Sequence, residues 1–354
     1  MQSYKLISSN DTHFACTLAR NNIKKIFGFD PKLDVLKDDL ANIDPLIWRK
    51  NIRKEQNIWP DGTRPLNRAA LKFDEIATTY NLFNLNEDVN DSKTFICLCE
   101  GPGGFMECIL KRRENAKLIG ITLKPDNAND KYFVPDWKVS GNGSKSNNHI
   151  SVQYGADGTG NLYKVDNIIH FISNNPKSHF VTADGGFDVS PNWNMQEQLS
   201  AKLIWCQIVC AFGCQEVSDT SVFILKMFDT FTVLSAKMLY ILSVFYKAVN
   251  ICKPEKSRES NSERYIVCIG FKGVPMEAMN NFFGIINGWP ENDSGNISDI
   301  CTETIIPPDF IESLTFINEN MCQKQIACLE LNINKCSDNG KGNESKKFKV
   351  SDLY

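Results

Sequence analysis

From residue 94 onward, short apolar runs alternate with longer stretches of helical periodicity. Residues 94–99, 118–123, 179–183, 222–227, 249–253 and 265–271 have the length and apolar density of buried strands. Residues 104–112, 162–173, 196–215 and 234–248 predict the helices between them. Strands separated by helices imply βαβ crossovers and an α/β fold. The expected architecture is a mainly parallel, seven-stranded sheet with helices on both faces. Only a short connection joins the last two strands, so that pair should be antiparallel. Upstream, Leu71, Ile76 and Phe83 recur near helical spacing and predict a helix over 67–82. Residues 125–148 are rich in Asn, Gly and Ser and read as a surface excursion. The expected organisation is an N-terminal extension over 1–44 and a main domain over 45–272. A helical addition over 273–335 packs on it, and a disordered tail covers 336–354. Helical additions are thus expected at both ends.

Composition narrows this only modestly. The 354 residues carry 39 Lys and Arg against 42 Asp and Glu, a net charge of −3, which excludes coating of nucleic acid by bulk charge. A local basic groove remains open: seven cations (Arg49, Lys50, Arg53, Lys54, Arg64, Arg68, Lys72) stand against Glu55 and Asp61 between residues 49 and 72. The 13 cysteines, an odd count, point to reduced thiols. Cys206, Cys210 and Cys214 share a helix face, but His13, His149, His170 and His179 are scattered, so no metal is expected. No apolar run approaches the roughly 18–20 residues needed to cross a bilayer. Residues 1–10 lack a basic region followed by an apolar stretch, so no secretory signal is expected.

The first chemical signal is Cys99-Glu100-Gly101-Pro102-Gly103-Gly104-Phe105, placed after a strand and opening a helix. Ligands of open parallel sheets bind outside the carboxyl ends of the strands. Glycines there let the backbone approach a ligand closely. A dinucleotide fingerprint would need another glycine near Phe105 and Met106, and an acid where the second strand ends in Thr122-Leu123-Lys124. No G-K-[ST] closes the turn, so it is not a Walker loop. An S-adenosylmethionine site is the better reading.

The second signal is distributed along the chain. Asp184 ends one predicted strand, Lys226 the next, Glu263 precedes the last strand, and Lys72 lies on the helix before the first. Parallel strands bring Asp184 and Lys226 to the same side as the glycine loop. A lysine ending an apolar strand is costly to bury unless neighbours neutralise it. The set suits methyl transfer from a sulfonium to a ribose 2′-hydroxyl. Lys226, once neutral, would accept the proton, or else orient the oxyanion, and Lys72 would supply a second cation. Asp184 and Glu263 would hold the two lysines in line.

These residues resemble the FtsJ/RrmJ-like RNA ribose 2′-O-methyltransferases, and within them the cap-specific mRNA 2′-O-methyltransferase 1 group. The resemblance is carried by Asn67-Arg68-Ala69-Ala70-Leu71-Lys72, the 99–105 loop, Gly120-Ile121-Thr122-Leu123-Lys124, Ala183-Asp184-Gly185-Gly186-Phe187, Lys226-Met227-Phe228-Asp229 and Ser257-Arg258 with Asn261-Ser262-Glu263-Arg264-Tyr265. It runs in order from about residue 45 to 330.

The resemblance implies a Rossmann-like class I S-adenosylmethionine-dependent methyltransferase with a catalytic set of Lys72, Asp184, Lys226 and Glu263. It implies S-adenosyl-L-methionine contacts from Asn67, Glu100, Gly101, Pro102, Gly103, Gly104, Phe105 and Met106. Asp184 and, in a Gly-Asp-Gly-x-Gly-Asp segment aligned with 155–161, Asp157 and Asn161 would also face the cofactor. Asn161 stands where the family has an acid, so an altered cofactor contact is expected there. For substrate RNA it implies Arg49, Arg53, Asn194, Met195, Gln196 and Asn261. A cationic 7-methylguanine binds by stacking on aromatics with acids nearby, which makes Trp193 a candidate.

The expected activity is cap 1 formation, methylation of the first transcribed nucleotide of 7-methylguanosine-capped mRNA. The alternatives are the second cap nucleotide, ribosomal or transfer RNA, and an inactive RNA-binding scaffold of the same fold. The expected partners are the capped mRNA 5′ end and the capping or transcription machinery, with no membrane. The chain is expected to be a monomer in the nucleus, or in the cytoplasm if viral.

Overall fold

The computed structural model describes residues 1–7, 14–52, 58–85, 94–124, 137–138, 149–190, 192–290 and 296–340. In chain order the elements are β1 (Gln2–Leu6), β2 (Leu18–Ala19), α1 (Lys32–Ala41), α2 (Pro45–Ile52), α3 (Arg68–Thr79), β3 (Thr94–Leu98) and α4 (Gly104–Arg112). There follow β4 (Lys117–Ile121), β5 (Ile150–Gln153), α5 (Val165–Asn174), β6 (Phe180–Ala183), α6 (Gln196–Cys214), β7 (Ser218–Met227) and α7 (Val233–Phe245). The last are β8 (Tyr246–Lys253), β9 (Arg264–Phe271), α8 (Met276–Gly288), β10 (Asp299–Ile300) and α9 (Pro308–Gly340).

The main sheet runs β1-β8-β9-β7-β6-β3-β4-β5. The five strands from β7 to β5 pair in parallel. β9 pairs antiparallel with both β7 and β8. The mainly parallel sheet is therefore as expected, and so is the antiparallel closing hairpin. β5, in a segment whose strand pattern is weak, completes the seven. An eighth strand was not expected: β1 pairs antiparallel with β8, Gln2 opposite Lys253, so the N-terminal extension is part sheet and not only helical.

Strand alternation sorts the core into two layers. Phe95 and Cys97 of β3, with Val222 and Ile224 of β7, face α3 and α4. Ile96, Leu98, Phe223 and Leu225 face the other way, into a larger core built with α5, α6, α7 and α8. Both faces are covered, which is why these strands read as continuous apolar runs rather than alternating ones. Cys206, Cys210 and Cys214 are buried in the larger core, as small hydrophobes. No helix among the described residues is long and apolar enough to cross a membrane.

The C-terminal helix differs most from expectation. α9 is 33 residues long and continues past Cys336, where the sequence suggests a tail; residues 341–354 lie outside the described residues. Its Cys322, Ile326 and Leu329 pack with Leu33 and Leu36 of α1 and with Phe231. The two terminal additions thus meet each other around Phe231, in the loop between β7 and α7.

Candidate active site

The glycine loop leaves β3 at Leu98 and enters α4 through Gly103, whose φ of 106° lies in the left-handed region open to glycine. Asn67 caps α3 by accepting from the Ala69 N–H at 3.0 Å. Its carboxamide lies where a Cβ on Gly104 would stand, so a glycine at 104 is what allows α3 and the loop to close on each other. The chain before Asn67 is tied to α4 by the Leu66 N–H, which donates to Glu107 Oε2 at 2.8 Å. Phe105 and Met106 are buried on the α3 side of the sheet. Lys138, described only with Trp137, lies over the turn and donates its N–H to the Pro102 carbonyl at 3.0 Å.

Glu100 is buried, and neither carboxylate oxygen has a hydrogen-bond partner among the described residues. Burial pushes its carboxyl well above the usual range; the nearby Thr182 hydroxyl is the main opposing group, Asp184 adds to the rise, and the Cys97 thiol and Lys226 oppose it. A buried carboxyl in a glycine turn, not fully satisfied by the Thr182 hydroxyl and Cys97 thiol beside it, fits a polar group on a bound ligand.

The four charged residues come together as two ion pairs. Lys226 Nζ donates to the Asp184 carbonyl at 2.6 Å and lies 3.3 Å from Asp184 Oδ1. Lys72 Nζ lies 2.7 and 2.8 Å from the two oxygens of Glu263. The pairs are electrostatically linked. Burial alone would raise the Glu263 carboxyl, but Lys72 and then Lys226 outweigh it and hold the group at about 2. Two further partners fix the carboxylates: Tyr265 Oη donates to Asp184 Oδ1 at 2.9 Å, and Ser257 Oγ to Glu263 Oε1 at 2.7 Å. Gly185 donates its N–H to Gln207 Oε1 of α6 at 3.0 Å, which anchors the turn after Asp184.

The other implied residues fare unequally. Asp157 does not present a free carboxylate. It accepts from the Thr159 N–H and Oγ1, from Asn167 Nδ2 and from Lys164 Nζ, at 2.6–3.0 Å, and so closes its own loop. Asn161 accepts from the Tyr163 N–H at 2.9 Å, a local turn bond that an acid could equally make. A cavity of about 670 Å³ opens beside this loop, lined by Asp157, Lys164, Asn167, Lys202 and Trp289, and none of the four charged residues lines it.

Gly160 docks the loop on the end of β4. Its φ is +71°, and a Cβ there would overlap the Thr122 carbonyl. Gly160→Ala should therefore destabilise the fold by about 2–4 kcal/mol, from the left-handed strain and the backbone overlap together. A urea midpoint equal to wild type would refute this account of the loop.

Of the implied RNA residues, Arg53 and the side chain of Arg49 lie outside the described residues. Met195 is 42% exposed and Gln196 half-buried. Asn194 is turned toward α1, where its Nδ2 donates to Asp38 Oδ1 at 2.7 Å. Asn261 departs most from expectation. Its side-chain oxygen faces its own loop, accepting from Lys253 Nζ at 2.9 Å and the Glu263 N–H at 3.2 Å. Trp193 is half-buried in the turn beside α1.

Three contributors escaped the sequence reading: Tyr265, Lys253 and the buried group behind Lys226. In that group Asp229 accepts from Lys37 Nζ at 2.6 Å and Arg264 at 3.0 Å, and Arg264 also meets Asn318 of α9 at 2.8 Å. A signal for Lys253 was present, since it ends an apolar strand as Lys226 does.

A mainly parallel sheet with a glycine turn after β3 and an antiparallel closing strand is the class I S-adenosylmethionine-dependent methyltransferase fold, and S-adenosyl-L-methionine is the cofactor it implies. A family model described as FtsJ-like methyltransferase matches residues 65–271, and the chain belongs to that family. It is similar to proteins named cap-specific mRNA (nucleoside-2′-O-)-methyltransferase 1. The one from Ailuropoda melanoleuca is 33% identical over 290 residues, covering 75% of this chain and 33% of the relative. That of Homo sapiens is 32% identical with the same coverage. That of Trypanosoma cruzi is 31% identical over 288 residues, covering 75% of this chain and 73% of the relative. The chain spans about a third of the length of the two mammalian relatives.

Proposed function

We propose that this chain methylates the ribose 2′-hydroxyl of the first transcribed nucleotide of 7-methylguanosine-capped mRNA. The observation that carries the reading is the pairing of Lys226 with Asp184 and of Lys72 with Glu263 beside the glycine turn. The names of the relatives supply the capped substrate.

S-adenosylmethionine supplies a methyl group on a sulfonium that leaves as a neutral thioether. Asn67 and the 100–106 turn, with the buried Glu100 carboxyl, are the residues that would hold it. In its neutral amine form, Lys226 Nζ, oriented by the Asp184 carbonyl, receives the hydroxyl proton as the new C–O bond forms and becomes the ammonium. The Asp184 carboxylate then faces the ammonium so produced, while Tyr265 keeps that carboxylate in place. Lys72 adds a second positive charge near the reacting oxygen, and Glu263 holds Lys72. Much of the acceleration would come from alignment in a site shielded from water.

The test is methyl transfer from labelled S-adenosylmethionine to short RNAs of one sequence, carrying either the 7-methylguanosine cap or a bare triphosphate. Label on the first nucleotide of the capped RNA alone is the expected result. Equal labelling of both would replace it with a general RNA 2′-O-methyltransferase, and bound cofactor without transfer would favour the scaffold.

A further inference from the structure

Lys253 ends β8 and is 8% exposed. Its Nζ donates to the Asn261 carbonyl at 2.6 Å, to Asn261 Oδ1 at 2.9 Å and to the Glu263 carbonyl at 2.8 Å. An ammonium has three N–H donors, and here each has an acceptor. All three acceptors belong to the segment that delivers Glu263 to Lys72. The same Asn261 oxygen accepts the Glu263 N–H, so Glu263 is gripped on both sides of its main chain. α9 adds an outer tie, from Gln325 Nε2 to the Ser260 carbonyl at 3.2 Å.

We propose that Lys253 is a positioning residue for methyl transfer: its ammonium fixes the Asn261–Glu263 main chain so that the Glu263 carboxylate stays on Lys72, and turnover falls when that ammonium loses its proton. The inference rests on reading the site as a methyltransferase centre. A neutral amine has two N–H groups for the same three acceptors, so one oxygen would face a lone pair.

The groups around Lys253 bring that event within reach. Burial pushes its ammonium down to about 8; Glu263, Glu259 and Asp229 pull it up, and Arg264 pushes it down further. From α9 the Cys328 thiol also faces it. The folded chain therefore gives up this proton before the unfolded chain does, whose lysines titrate near ~10.4. Between these values the unfolded state binds more protons, so this group's contribution to global stability rises with pH. Activity is expected to fall over the same window. Because buried thiols kept protonated by burial lower global stability above about pH 8.5, thermal melts at each pH separate that loss from the effect of Lys253.

The experiment measures kcat and KM on capped RNA from about pH 6.5 to 10 for wild type and Lys253→Met, with amide hydrogen exchange over residues 257–264. Wild type should show an alkaline fall in kcat near 8, superposed on the rise that deprotonation of Lys226 gives in both proteins, with KM for RNA nearly constant. Lys253→Met should turn over roughly 10- to 100-fold more slowly at neutral pH, with no such fall. Wild-type kcat in the variant, or an unchanged alkaline fall, would overturn the proposal.

Exchange reads the same grip without activity. Beyond the intrinsic pH effect, segment amides of wild type should lose protection above about pH 8, and retained protection would refute the idea. If wild type methylates no capped RNA, the functional reading fails, and exchange still decides whether the proton of Lys253 holds the loop. If the variant does not fold, the wild-type profiles decide alone.

Discussion

Lys226→Ala should abolish methyl transfer, a loss of roughly 10²–10⁴-fold, while binding of S-adenosylmethionine is retained. The alanine removes the one nitrogen that lies on the Asp184 carbonyl and faces its carboxylate. It also removes a cation that helps to hold Glu263 ionised, so alanine alone does not separate proton transfer from field. Lys226→Arg does. A guanidinium keeps the charge but does not give up a proton in proteins, so it cannot serve as acceptor. An arginine variant as inactive as the alanine one identifies a proton acceptor. Activity retained with arginine would leave Lys226 only an electrostatic role. A cofactor titration on both variants separates a lost chemical step from a lost binding site.

Asp229→Ala should lower stability by about 3–5 kcal/mol, because it strands two buried cations at once. Asp229 is 3% exposed, and its partners Lys37 and Arg264 are equally inaccessible. Against a typical total of roughly 5–15 kcal/mol, such a loss is a large share. Burial pushes the Asp229 carboxyl up, but Lys37 and Arg264 win and hold it at about 2, below an unfolded value near ~3.9. A depressed carboxyl stabilises above the unfolded value and ceases to do so as pH falls through the folded one. Its contribution is therefore present above about pH 4 and lost on the way down to about 2, a window that Glu263 shares. Urea midpoints followed from neutral pH into this range should fall steeply in wild type and less steeply in the variant. Equal slopes would mean that the ion pairs contribute nothing net.

Much of this centre was legible in the chain. Strand ends are where apolar runs stop, so Asp184 and Lys226 could be put on one side of a parallel sheet before any coordinates. The glycine turn followed from spacing. Side-chain direction inside a polar loop has no such period. Asn261, which the resemblance implies for RNA, turns its oxygen inward to hold Glu263. Asp157 likewise spends its oxygens on its own loop. β1 was invisible because Gln2-Ser3-Tyr4-Lys5-Leu6 alternates weakly and lies at a sheet edge, where its polar residues meet solvent. Long-range polar groups such as Lys37 with Asp229 leave no local pattern at all.

The pairing of β1 with β8 also sets an order of events during synthesis. Gln2 waits for Lys253, about 250 residues later, and Lys37 waits for Asp229. At about 5–20 residues per second, the first strand emerges roughly 10–50 seconds before its partner exists. The nascent chain can assemble β3 to β7 while β1 remains unpaired. Its arrival covers the open flank of the strand that ends in Lys253, so β1 is seated long after it has been made.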